Sequence, residues 1–584
     1  MDTAAWVILL LKKGFMSNDI EFRDVSFTYA GADKPALRNI NLNISPGEVV
    51  LITGPAGSGK TTLCSCINGL IPHFHEGELV GEVLVRTYRT ARARIGGLAS
   101  LVGMVFQDPE SQLVTNSVGD EIAFGPENLG IPREEINARV QDSLKATRLV
   151  GYEEREPHSL SGGEQQANVI AAVYAMQPEI YIMDEPLANL DPIGRTQVLK
   201  VVVDVVKQRG KTLVIVEHSL EEVLPLVDRV IVVHDGEIIR DGTVAEILAG
   251  GEIPNVFTPP PIVQLADTFQ LNPIPLTPDD FYDKFSSQYH LHPIPELDLG
   301  NNEREAGPKI IELQDVSFSY DQKSPVLRHI NLEFHAGEIT AILGRNGSGK
   351  TTLVRHIIGL LQPNDGKVVV LGKDVSTTPT YELAQDVGFC FQNPNHQIVS
   401  FNVRDEVVFG LKAHHIDPAE FESRTKEALE FVDILDYIDA EVFDLGKGQK
   451  QRLALASVLT LRPRILIIDE PTTGQDPRMA REIFEIIKRL NESGTTVLMI
   501  THKIDYAAIY AHRAVVLQKG EVVYDGGMQD LMSDSELMQA NSLDLPDTTK
   551  LASKFSQYGV PPWLVKTEDL AHVLRQLVEA PNGH

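Results

Sequence analysis

Cysteine is nearly absent: the 584-residue chain has three, Cys64, Cys66 and Cys390. Three thiols cannot build a disulfide framework or hold an iron–sulfur cluster, and such sparing use fits a reducing compartment. Cys64 and Cys66 stand two apart where a helix is expected, so they face different sides and read as two small buried apolar residues. Positive charge is scarce as well. Against 81 Asp and Glu stand 52 Lys and Arg, a formal net charge of −29. A chain this acidic has no general attraction for phosphate backbones, which disfavours broad nucleic-acid binding. Long apolar runs are missing too. The best candidate, Ala4–Leu11, falls far short of the roughly 20 residues that a membrane-spanning helix needs. What remains is an ordinary globular balance, 43% hydrophobic and 23% charged, over a length that predicts several domains.

The chain is a duplication. The stretch from Ile20 to Tyr29, IEFRDVSFTY, returns as IELQDVSFSY from Ile311 to Tyr320. Later segments return in the same order, so the two copies are collinear. Even the tails repeat: LADTF at Leu265–Phe269 is echoed by LASKF at Leu551–Phe555. Each tail is followed by a helix-start signal, Thr277-Pro278-Asp279 and Thr567-Glu568-Asp569. Residues 251–308 hold ten of the chain's 34 prolines, a density that forbids one long helix. The expected organisation is an extension over 1–17, a first domain over 18–250, a Pro-rich appendage and linker over 251–308, a second domain over 309–533 and a second appendage over 534–584. Within each copy, short apolar runs such as Val49–Thr53, Ile180–Met183 and Leu213–Val216 alternate with helical stretches. That pattern predicts α/β domains with largely buried parallel sheets.

Two glycine-rich loops carry the chemistry. Gly54-Pro55-Ala56-Gly57-Ser58-Gly59-Lys60-Thr61-Thr62 and Gly344-Arg345-Asn346-Gly347-Ser348-Gly349-Lys350-Thr351-Thr352 both fit the pattern G-x-x-x-x-G-K-[ST]. Glycines let backbone N–H groups curl around phosphates, and the following helix aims its positive end at the anion. Lys60 and Lys350 are placed to neutralise β/γ oxygens of ATP, and Thr61 and Thr351 to ligate Mg²⁺. A second element ends each of two apolar runs, Asp184-Glu185 and Asp469-Glu470. The aspartate of each pair can hold the Mg²⁺ shell, and the glutamate can orient or polarise an attacking water.

With these motifs in series, nearly the whole chain resembles the ATP-binding cassette (ABC) family. The resemblance implies two tandem P-loop NTPase domains, each a mainly parallel sheet with an antiparallel β subdomain and a helical subdomain. It makes Tyr29 and Tyr320 the aromatics that stack on adenine. It makes Gln107 and Gln392 the glutamines that touch Mg²⁺ and sense a membrane partner. Asp191 and Asp476 match a loop aspartate between cassettes, and His218 and His502 a switch histidine at the γ-phosphate. The signature motif is Ser161-Gly162-Gly163-Glu164 in the first copy, which also reads as a helix-capping S-x-x-E. In the second copy it departs to Gly446-Lys447-Gly448-Gln449. Losing a hydroxyl that bonds a charged phosphate costs about 1.5–3 kcal/mol, which Lys447 can offset with its charge. Ala167 departs as well, since many relatives carry arginine there.

Within the family, the energy-coupling factor (ECF) importers are most similar. The residues behind this are Phe106-Gln107-Asp108-Pro109-Glu110-Ser111-Gln112 through Val118–Asn128, their second-copy match Phe391-Gln392-Asn393-Pro394-Asn395-His396-Gln397 through Val403–Gly410, and the appended tails. That resemblance implies an integral membrane scaffold of the T type and a small membrane subunit that captures a vitamin or a transition-metal ion. It places the chain on the cytoplasmic face of the membrane, with no nucleic-acid partner. It also implies that the two cassettes of one chain pair, Lys60 facing the second signature and Lys350 the first, with a slower Lys60 site. Leu113, Val114, Val118, Ile122 and Phe124 form an apolar load suited to docking or to a core. The rival is a soluble twin-cassette ATPase acting on ribosomes or DNA. The Pro-rich junction, the three cysteines and the acidic charge argue against it. Ala4–Leu11 with Lys12 and Lys13 mimics a signal peptide, but the nucleotide motifs downstream argue for an extension, with Met16 an alternative start. The histidine pairs 73/75, 290/292 and 414/415 lack convergent partners and read as loop residues.

Overall fold

The computed structural model describes residues 18–160, 162–187, 190, 194–195, 198–199, 203, 210–254, 256–294, 307–321, 324–472 and 475–578. The extension at 1–17, Ser161 and Asp191 therefore lie outside the described residues. The chain divides into two compact units, residues 1–260 and 261–584.

In the first unit an antiparallel sheet and a larger mixed sheet share one core. The strands are β1 (Ile20–Tyr29), β2 (Leu37–Ile44), β3 (Val49–Thr53), β4 (Gly77–Val85), β5 (Tyr88–Arg89), β6 (Val102–Val105), β7 (Ile180–Asp184), β8 (Thr212–Val216), β9 (Arg229–His234) and β10 (Glu237–Thr243). The small sheet runs β2-β1-β4-β5 and the large one β10-β9-β3-β8-β7-β6. All neighbours in the large sheet are parallel except the β9–β10 edge pair. β3, β7 and β8 are buried along their whole length. That is why they read as unbroken apolar runs, whereas the edge strand β10 alternates.

The second unit repeats this plan. Its strands are β11 (Lys309–Phe318), β12 (Leu327–His335), β13 (Ile339–Leu343), β14 (Asp365–Val370), β15 (Lys373–Asp374), β16 (Val387–Cys390), β17 (Ile465–Asp469), β18 (Thr496–Ile500), β19 (Arg513–Gln518) and β20 (Glu521–Gly527). The orders are β12-β11-β14-β15 and β16-β17-β18-β13-β19-β20. The three cysteines are buried free thiols, and burial pushes Cys66 and Cys390 up to about 12.

A helical subdomain in each cassette carries the signature segment. In the first, helices Val118–Asn128, Arg133–Thr147 and Gly162–Met176 enclose Val118, Ile122, Val140, Leu144 and Ala171. The two repeated tails share one core inside the second unit. Helices Pro261–Thr268 and Pro278–Gln288 pack with Asp547–Lys554 and Thr567–Val578 around Leu265, Phe281, Phe285, Phe555 and Leu574. Thr277 caps its helix by accepting the Asp280 N–H at 3.2 Å. Buried side chains of both tails enter this one cluster.

Candidate functional site

Each phosphate loop leaves a buried parallel strand and enters a helix, β3 into Lys60–Ile67 and β13 into Lys350–Ile357. The first glycine of each loop is forced by close packing. Gly54 sits at φ 142°, and a Cβ there would lie 2.0 Å from the Val233 carbonyl oxygen of β9. Gly344 repeats this at φ 140°, with the Leu517 oxygen 2.2 Å away. Gly54→Ala is expected to push β3 off β9 and lower stability by about 2 kcal/mol or more. Thermal melts with and without ATP check it; an unchanged melt with full nucleotide-induced stabilisation would contradict the packing argument.

The lysines fold back onto their own loops. Lys60 Nζ donates to the carbonyls of Gly54 at 2.9 Å and Pro55 at 2.7 Å. Lys350 Nζ donates to Gly344 at 2.7 Å and Arg345 at 2.9 Å. Tyr29 and Tyr320 are tethered over the loops through their hydroxyls, to Thr62 Oγ1 at 3.1 Å and Thr352 Oγ1 at 3.3 Å. Each ring also meets the phenylalanine two residues before it edge-on. The sequence flagged these tyrosines and threonines but not that they bond each other.

At the ends of β7 and β17 stand the paired carboxylates. Burial raises Asp184 to about 6, helped by Glu185 and opposed by a Thr61 hydrogen bond, Lys60 and His218. Asp469 is raised for the same first reason, and Thr351 Oγ1 lies 3.1 Å from its Oδ2. Glu185 and Glu470 hold left-handed backbone, φ 49° and 48°, rare for glutamate. Their N–H groups bond Val216 O and Ile500 O, at 2.9 Å each, on the neighbouring strands. This turn aims each carboxylate at the switch histidine: His218 Nε2 lies 3.1 Å from Glu185 Oε1, and His502 Nε2 3.1 Å from Glu470 Oε1. Gln107 Nε2 donates to Glu185 Oε2 at 2.5 Å, whereas Gln392 is exposed. Asp476 caps the helix Pro477–Glu492 by accepting the Met479 N–H at 2.8 Å.

Magnesium and nucleotide fit what is left over. Among the described residues, Asp184 Oδ1, Ser58 Oγ and Ser348 Oγ are buried without a hydrogen-bond partner. A buried carboxylate oxygen facing a loop of N–H groups and a lysine suits a cation bound with an anion.

Two pairs of residues inside the segments that carry the ECF resemblance had no role legible in the sequence. Gln112 closes the segment after Gln107, accepting the Phe106 N–H at 2.7 Å and donating to Met104 O at 3.1 Å. Gln397 accepts the Phe391 N–H at 3.1 Å in the second copy, but its amide donates instead to Ala454 O at 2.7 Å on the helix Lys447–Leu459. Glu121 and Glu406 are buried and take the N–H groups of Val114 and Thr115, and of Val399 and Ser400. Their repetition at equal spacing was the available signal. Of the five apolar residues beside Gln107, three are core: Leu113, Val118 and Ile122 are buried, and only Val114 and Phe124 are exposed. The second copy exposes Val399, Phe401, Phe409 and Phe443.

The altered signatures find physical partners. The helix Lys447–Leu459 starts with Gln449 Oε1 accepting the Gly446 N–H at 2.8 Å, half of a capping box without its hydroxyl. Arg452, the counterpart of Ala167, donates to Val432 O at 2.9 Å and pairs with Asp433 at 3.5 Å and with Glu482. Where the second copy has Asp433 the first has Arg148, both left-handed. Loss of the arginine at 167 thus goes with loss of an acidic partner, leaving no unpaired carboxylate at that position.

Two phosphate loops on parallel sheets, each with its aspartate–glutamate strand end and histidine, define a twin-cassette nucleotide-binding protein. The ABC transporter family profile matches residues 37–188 and 327–473. An ABC transporter ATP-binding protein of Caldanaerobacter subterraneus subsp. tengcongensis is 39% identical over 92% of this chain and 96% of its own. A like-named protein of Methanosarcina acetivorans is 36% identical over 96% of this chain and 94% of its own. The chain belongs to the ABC transporter family as an ATP-binding protein with two cassettes. The solved structure of CbiO1 from Clostridium perfringens, part of the ABC transporter complex CbiONQ, is 31% identical, covering 41% of this chain and 97% of that one, at TM-score 0.38.

Proposed function

We propose that this chain is the ATPase subunit of an ECF-type importer, working at the cytoplasmic face of the membrane beneath a T-type scaffold and a small substrate-capture subunit. The cargo class is a vitamin or a transition-metal ion. One observation supports the docking half of this reading. The segments after Gln107 and Gln392 expose apolar side chains, Val114 and Phe124 in one cassette, Val399, Phe401 and Phe409 in the other. A buried glutamate holds each segment from behind, and no described helix is long and apolar enough to cross a membrane. Exposed apolar side chains on these loops and on the helices that follow them suit a helix end of a membrane partner.

The chain's own residues supply the catalytic parts. The loop N–H groups with Lys60 or Lys350 bind the phosphates, the lysines exchanging loop carbonyls for phosphate oxygens. Tyr29 and Tyr320 offer a face to the base. Asp184 with Thr61 and Gln107, and Asp469 with Thr351 and Gln392, would hold Mg²⁺, which when bound would screen charge that develops on the transferred phosphoryl group. Glu185 and Glu470 orient a water and accept its proton, their direction set by His218 and His502. Asp191, Ser161, Gly162 and Gly163 with their second-copy matches Asp476, Gly446, Lys447 and Gly448 complete the sites when the cassettes of one chain pair. Phosphate contacts made only in the closed state give ATP its leverage on the partner.

Phe401→Asp with Phe409→Asp is expected to strip membrane proteins from the chain purified in mild detergent, while ATP still raises its melting point. Full retention of the membrane partners, or purification with ribosomes or DNA-repair proteins instead, would overturn the reading.

A further inference from the structure

One carboxylate beside the first site is used by none of these steps. Glu217 follows β8, is buried, and precedes the switch residue His218. Its Oε1 accepts the Leu187 N–H at 2.9 Å, just past the Asp184-Glu185 turn. Its Oε2 accepts the His218 N–H at 3.1 Å. Burial and the nearby Glu185 charge push it up to about 7, a costly place for a carboxylate without a task.

The second cassette shows what changes without it. Thr501 stands in the same place, and its Oγ1 accepts the Lys503 N–H at 3.0 Å. There Glu470 takes over the peptide: its Oε2 accepts the His502 N–H at 3.1 Å, and its Oε1 faces the His502 ring at 3.1 Å. Oε2 of Glu470 is thus taken up by the peptide of its own switch histidine. In the first cassette the peptide N–H belongs to Glu217. Glu185 then has its Oε2 on Gln107 at 2.5 Å while its Oε1 faces the His218 ring at 3.1 Å.

We propose that Glu217 is a positioning residue of the first ATP site: by taking the peptide N–H groups of Leu187 and His218, it leaves one oxygen of Glu185 to Gln107 and so couples that glutamine to the hydrolytic carboxylate in this cassette. The inference rests on the ATPase reading above and deepens it. It makes Gln107 report to its own catalytic glutamate through a contact that the second cassette replaces by a peptide N–H.

The test is a double-mutant cycle on the full-length chain, following ATP turnover for the wild type, Glu217→Thr, Glu185→Gln and the combination. Threonine is the residue the second cassette carries at this position, and Glu217→Gln serves as the milder variant, keeping one of the two acceptors. Glu217→Thr is expected to remove most of the share of kcat that Glu185→Gln removes, with KM for ATP within about twofold. Added to Glu185→Gln it should cost nothing more, because it acts through Glu185. Glu217→Gln should fall between. Unchanged kcat in Glu217→Thr, a further loss on the Glu185→Gln background, or a rise in KM alone would overturn the assignment. A Glu185→Gln chain as active as wild type would overturn it too. A wild-type chain with no ATP turnover would instead sink the ATPase reading, and this inference with it.

Discussion

Glu470→Gln is expected to slow its own site about 100-fold or more, the usual scale for losing a general base, and so to remove the larger share of ATP turnover in the assembled transporter. The amide keeps the size of the side chain and its contact with His502, so the phosphate loop and its lysine stay as they are. KM for ATP should therefore move little, and the loss should fall on kcat. Glu185→Gln is expected to cost less. In the pairing proposed above, Lys350 meets the signature that has Ser161, and Lys60 the one that has Gly446 and Lys447. The missing hydroxyl is worth about 1.5–3 kcal/mol of phosphate binding, so the Lys60 site should turn over more slowly and contribute less to the total. Phosphate-release assays on the two variants decide it, and equal losses would remove the asymmetry.

Asp184→Asn is expected to stabilise the nucleotide-free protein while ruining its Mg²⁺-dependent ATP binding. Burial raises Asp184 from an ordinary 3.8 to about 6. A shift of about two units corresponds to about 3 kcal/mol. The sign follows from proton count. With its folded pKa above the unfolded one, the native state holds the extra proton, so the contribution is complete below pH 3.8 and is lost as pH rises through about 6. Glu217, raised to about 7, acts in the same direction. The wild-type melting temperature should thus fall between pH 4 and 7. Asparagine removes the Asp184 part and should raise the neutral-pH melt by about 6 °C or more, at the usual 2–4 °C per kcal/mol for units of this size. A variant that melts at or below wild type at pH 7.5 would mean that the buried carboxylate is not the burden its surroundings imply.

The phosphate loops, the strand-end carboxylates and the duplication were legible because each is a local pattern whose spacing is set by backbone chemistry. Gly54 and Lys60 must stand six apart for one loop to end a strand, curl and start a helix. The apolar runs at Val49–Thr53 and Ile180–Asp184 read as buried strands because both faces are covered. The apolar residues beside Gln107 were ambiguous for the opposite reason. Leu113 and Val114 are neighbours of one chemistry, yet one is buried and the other exposed, a difference that tertiary packing makes and composition does not. The tails were recognised as repeats, but not as halves of a single core, since their partners lie far apart in the chain.

From the sequence alone came the membership of a family, the two phosphate-binding loops and the carboxylates that serve them, because those depend on residues adjacent in the chain. The tertiary structure alone decided which oxygen of Glu185 meets Gln107, that Glu217 takes the peptide next to it, and which aromatics reach solvent. Such choices depend on groups brought together from 30 to 78 residues apart, where a single positive φ at Glu185 redirects a side chain and no local pattern records it.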